Sequence, residues 1–178
     1  MPHDAYVRIP SDGLARIRPL SGGRRIQVEQ GKPFCRVEWD DFETPEAWLR
    51  ETSRGLATDV LWLVFQKQSD AFAFEHWTNG ESGRRLAYGL ENERVWERVD
   101  GSPEEWEAEA FFSARALERR IRVIGVIDMP TEAREQTAGD LERIWMERRI
   151  DVGAAEPLVA AGSAGAVVAR FYDLPSWQ

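Results

Sequence analysis

Residues 60–65, Val-Leu-Trp-Leu-Val-Phe, are apolar on both alternating sets: Val60, Trp62 and Val64 on one side, Leu61, Leu63 and Phe65 on the other. A strand tolerates that only when both of its faces are covered, so this run predicts a central strand with packing above and below it. Residues 71–77 then alternate, with Phe72, Phe74 and His76 on one side and Glu75 and Trp77 on the other, as in a partner strand. Asn79-Gly80 follows, a dipeptide that accepts positive φ in a hairpin turn, although Glu81-Ser82-Gly83 suggest a connection longer than two residues. Two more strands are expected. In residues 85–90, Leu86, Tyr88 and Leu90 share a side, and in residues 94–99, Val95 and Val99 oppose Trp96. Connections this short favour antiparallel neighbours, because a parallel return needs a crossover of about a dozen residues.

The flanking segments complete an α+β expectation, a mainly antiparallel sheet with its central meander at about 60–99, packed by helices at about 45–54, 103–122 and 131–149. Before the meander, residues 6–9 and 14–20 read as strands, placed at an edge by Pro10 and Pro19, since proline cannot donate to a ladder. A second hairpin is expected from residues 24–30 and 34–39. Thr44-Pro45-Glu46 starts a helix that Gly55 should stop. Ser102-Pro103-Glu104-Glu105 has capping-box spacing with proline at the first helical position, and Trp106, Ala110, Leu117 and Ile121 recur at helical intervals behind it. Acids crowd the first half of that helix, while Arg115, Arg119, Arg120 and Arg122 crowd the second, which complements the macrodipole. Residues 123–127 and 166–172 are apolar enough for two further short strands, and Gly139 is placed to divide the helix that begins at Thr131.

With 178 residues, 43% of them hydrophobic, the chain falls in the range of one globular domain, 1–178. Its charge of −8 is uneven: 13 acids face 12 bases in residues 1–89, and 18 face 11 in residues 90–178. That balance disfavours direct nucleic acid binding, which draws on clustered Lys and Arg, and suits a basic protein partner. The longest uncharged stretch, residues 157–169, is shorter than the ~20 apolar residues of a membrane span. No signal-peptide pattern opens the chain, and Cys35 is its one cysteine, so a bacterial cytoplasmic protein with neither membrane association nor a disulfide is expected.

Catalytic motifs give little purchase. The histidines are His3 and His76, and none follows Ser163 in the glycine-flanked segment that comes nearest to a nucleophile elbow. Phosphate-binding glycine patterns are missing too, so no cofactor is expected. No metal is expected either, since one cysteine and two distant histidines do not make a zinc site. Asp40, Asp41 and Glu43 read as solvated acids before a helix. His76 shares a face with Phe72 and Phe74, which suits a hydrogen-bonded structural histidine, and Cys35 alternates with Val37 and Trp39, which suits burial.

Residues 91–109 hold eight acids against two arginines, with two tryptophans among them. The functional expectation is accordingly a non-catalytic protein-binding domain, inhibitor- or immunity-like, with a binding face of Glu91, Glu93, Trp96, Glu97, Glu105 and Trp106. The alternative is a small-molecule-binding or enzymatic domain, with an aromatic pocket between sheet and helices lined by Trp62, Phe74, His76 and Tyr88.

Overall fold

The computed structural model describes residues 3–39, 45–66, 71–92, 95–126, 128–153 and 161–175. Seven strands, β1 (His3–Arg8), β2 (Ile26–Val28), β3 (Phe34–Trp39), β4 (Asp59–Gln66), β5 (Ala71–Thr78), β6 (Glu81–Tyr88) and β7 (Trp96–Gly101), form one sheet of order β2-β3-β1-β4-β5-β6-β7. Its described pairings are all antiparallel, so the fold is α+β as expected. Helices cover both faces. α1 (Ile17–Leu20) and α2 (Glu46–Leu56) lie on one, and α3 (Glu105–Phe112), α4 (Ala114–Val126), α5 (Thr131–Glu147) and α6 (Ala161–Phe171) on the other.

The two-sided apolar pattern of β4 is what this sandwich requires. Val60, Trp62 and Val64 join the core under α2 with Leu49 and Leu56, and Leu61 and Leu63 join the core under α3 with Phe72, Phe74 and Trp106. Trp106 meets Phe74 edge-on at 5.0 Å, so the helix that follows Pro103 does shield the meander.

Several local expectations fail for identifiable reasons. β1 is internal, paired with both β3 and β4, because Pro10 lies beyond its last residue and removes no ladder bond. Residues 14–20 are helical turns and not a strand: Leu14, Ile17 and Leu20 recur every third residue and pack under α2. α2 runs through Gly55, and Ala57 takes the left-handed stop at φ 50°. β5 and β6 are joined by the minimal two-residue turn, with φ 53° at Asn79 and 83° at Gly80; the pairing jumps from Trp77–Ser82 to His76–Arg84, so Gly83 is absorbed as a bulge. A second bulge skips Glu97, between the Tyr88–Trp96 and Ala87–Arg98 pairs, and so turns Trp96 and Val99 toward the same core instead of opposite faces.

The helix expected over 103–122 is two helices. Ser113 is extended (φ −76°, ψ 151°), and its hydroxyl accepts from the Ala116 N–H at 3.2 Å, capping α4. The capping box is formed by Glu104 and Glu107, two residues beyond the pair read from the sequence. Of the two short strands expected at 123–127 and 166–172, residues 123–126 are helical within α4 and residues 166–171 within α6, while Ile127 lies outside the described residues; Ile124 and Val168 are buried, whereas Val126 is 80% exposed. α5 continues unbroken through Gly139.

Candidate functional site

A cluster of ionisable side chains forms at one end of the sheet, on the α3–α6 side. His76 comes from β5, Asp59 from the first position of β4, Glu104 from the N-cap of α3, and Tyr172 from just past α6. The imidazole is held on both nitrogens, by Glu104 Oε1 at Nδ1 (2.7 Å) and by Asp59 Oδ1 at Nε2 (3.3 Å). Thr78 and Arg8 donate to Asp59 at 2.9 and 2.8 Å. Glu104 Oε2 accepts from the Trp106 indole at 2.7 Å and from the Tyr172 hydroxyl at 2.5 Å.

These contacts set the charge states. Burial works against a charged His76, but the hydrogen bonds to Asp59 and Glu104 outweigh it and raise its pKa to about 9. The Asp59 carboxyl is held well below its usual range, chiefly by the hydrogen bond from His76. Burial would raise Glu104, but the bonds from His76, Tyr172 and Trp106 prevail and lower it. The Tyr172 hydroxyl is pushed upward by burial and by the adjacent Glu104. His76 is therefore an imidazolium between two carboxylates at neutral pH. With both nitrogens protonated it has no lone pair to accept a proton, so the arrangement suits an ionic joint fastening α3 and the C-terminal segment to the sheet, and not a general base. Asp59 and Glu104 lie on opposite ring edges and do not converge on one cation. Among the described residues no group of three or more His, Cys, Asp or Glu side chains is placed to hold a metal ion. Asp40, Asp41 and Glu43 lie outside the described residues. Cys35 is buried, and burial lifts its thiol to about 11.

The aromatic pocket read from the sequence does not form. Trp62 belongs to the α2-side core, edge-on to Trp39 at 5.8 Å, whereas Phe74 and Tyr88 face the α3 side. Phe74 is packed between Trp106 and Tyr172, and Tyr88 lies against Trp96 at 5.3 Å; Phe74, Tyr88, Trp96 and Trp106 are buried and Tyr172 partly so. Of those four side chains, His76 alone retains partial exposure.

The acidic face is corrected as well. Trp96 and Trp106 are 2% and 1% exposed, core residues that no partner could reach. Glu104 and Glu107 turn inward, the first to His76 and the second to Arg84, with which it forms a buried two-pronged pair at 2.8 and 2.7 Å. Glu97, re-aimed by its bulge, accepts from the backbone N–H groups of Leu90, Glu91 and Asn92 and closes the β6–β7 hairpin. Glu93 lies outside the described residues. Glu91 and Glu105 remain exposed, with no side-chain partner among the described residues, but at opposite ends of β7, about 20 Å of strand apart. What the structure does gather is a cleft of about 270 Å³ at the hairpin, where Glu91 and Glu97 meet Glu75, Arg98, Ala87 and Leu90. Glu75 is fixed at its base by the Trp77 indole (2.8 Å) and by Arg85 (3.2 Å).

Sequence reasoning missed Asp59, Glu104 and Tyr172 as partners of His76, and Glu75 as part of the cleft. A polar side chain on a strand otherwise filled with Phe, Ala and Trp was the available signal, since burial obliges such a group to find partners. Comparisons with protein-family models, with curated proteins and with solved structures find no match to this chain.

Proposed function

We propose that the chain is a non-catalytic protein-binding domain that recognises a basic protein through the acidic cleft at the β6–β7 hairpin. The cleft itself carries this reading: Glu75, Glu91 and Glu97 line it, and while Arg85 and Arg98 pair with Glu75 at its base, no base pairs with Glu91 or Glu97 among the described residues. Glu75 and Glu97 are held in place by the hydrogen bonds described above, so they lose little freedom on binding; Glu91 is exposed, with no side-chain partner among the described residues. Leu90, 42% exposed, offers apolar surface at the rim for the stem of an arginine or lysine whose head reaches the carboxylates. The net charge of −8 would steer such a partner from a distance. An inhibitor or immunity-like role toward a basic protein accords with these features.

The test is capture by the immobilised full chain at low and at high salt, with Glu91→Lys compared against Glu142→Lys, which makes the same charge change at an exposed site on α5. A specific protein retained at low salt, released at high salt and lost with Glu91→Lys alone supports the reading. Retention indifferent to salt, or lost equally in both variants, overturns it.

A further inference from the structure

A second cleft, across the sheet from the first, has the opposite sign. It lies between α3, α4 and α6, has a volume of about 250 Å³, and brings Arg115, Arg119 and Arg170 together with Ser113, Ser163 and Glu109. Three guanidiniums against one carboxylate form a locally cationic pocket in a chain of charge −8. The macrodipole accounts for an arginine run at the end of a helix, but the break at Ser113 removes that account here. α4 begins at Ala114, so Arg115 stands in its first turn, which holds no acid, at the positive end of the dipole where a cation is disfavoured. Arg115 is exposed and has no partner among the described residues. Arg119 spends one N–H on the Ser163 hydroxyl at 2.8 Å and keeps donors to spare, and Arg170 pairs with Glu109 at the rim.

We propose that this cleft binds a small phosphomonoester, with the phosphoryl group between Arg115 and Arg119 at the first turn of α4. A dianion there would neutralise the excess positive charge, accept from guanidinium forks and a serine hydroxyl, and lie at the favourable end of the helix dipole. The volume falls below that of sites for drug-sized ligands, which limits the remainder of the molecule to a few carbons. Ala110 and Ala116, both buried, form part of the wall and keep the local dielectric low. This inference is independent of the protein-binding reading, because it uses other residues on the other side of the sheet and needs no protein partner.

The experiment is calorimetric titration and thermal unfolding of the full chain with inorganic phosphate, glycerol 3-phosphate and succinate, with sodium chloride at matched ionic strength as the reference. Saturable binding of both phosphates is expected, weakened about tenfold or more in Arg115→Gln and Arg119→Gln and unchanged in Arg122→Gln, an exposed arginine farther along the same helix. Without ligand, Arg115→Gln should melt no lower than the native chain, since it breaks no polar contact among the described residues and removes a cation from the positive end of α4. If Arg119→Gln does not fold, Arg115→Gln decides alone. Binding of succinate in preference to phosphate, a response that sodium chloride reproduces, or an equal loss in Arg122→Gln would each overturn the proposal.

Discussion

Raising pH through about 9 should unfasten the His76 joint. His76 moves from its ordinary 6.5 to about 9 in the folded chain, a preference for the charged form of about 3 kcal/mol. That is an upper figure, because the ring is 21% exposed and water screens part of the interaction. Since the folded value is the higher one, the stabilisation is fully present below about pH 6.5 and is lost as pH rises through about 9. Asp59 and Glu104 are lowered, so their contribution is present above the ordinary carboxylate range, near pH 4, and is lost as pH falls below it. Urea unfolding at steps from about pH 6 to about pH 10, on the native chain and on His76→Gln, isolates the histidine from the other groups that titrate in that range. The native chain should lose up to about 3 kcal/mol more than the variant over the interval, and the His76 ring resonances should titrate near 9. Parallel curves, or a ring that titrates near 6.5, would refute the argument; the second result would also restore His76 as a base at neutral pH.

Two further outcomes follow from buried geometry. Arg84→Met strands Glu107 in a site where its side chain is 2% exposed, so it should cost about 3–5 kcal/mol by chemical denaturation, while Arg84→Met combined with Glu107→Leu should recover much of that loss. Gly101 has φ 82°, and an added Cβ would lie 2.0 Å from the Gly83 carbonyl oxygen, so Gly101→Ala should destabilise by at least about 2 kcal/mol in the same assay.

The correspondence between sequence and structure follows how local each determinant is. The two-sided burial of β4 was readable at Val60 to Phe65 because strand period alone sorts those side chains, and the cover of α3 was readable from Pro103 and the spacing that follows it. Where a run fitted two periods, sequence could not choose. Residues 123–127 and 166–172 are apolar enough for strands, but 123–126 and 166–171 continue helices whose turns bury Ile124 and Val168. Bulges were invisible for another reason: a single skipped residue depends on the partner strand, and the one at Glu97 moved Trp96 from a supposed surface anchor into the core.

The chain's periodicity and turn residues by themselves determined an α+β protein with an antiparallel meander clothed by helices, since those signals act within a few residues of one another. Which charges are internal and which face solvent was decided only by tertiary contact. Glu104 and Glu107 occupy the same helix start as Glu105, yet the first two are drawn in by His76 and Arg84, residues more than twenty positions earlier, while Glu105 stays in water. A carboxylate enters a protein interior where a cation already waits, and no local pattern records where that cation lies.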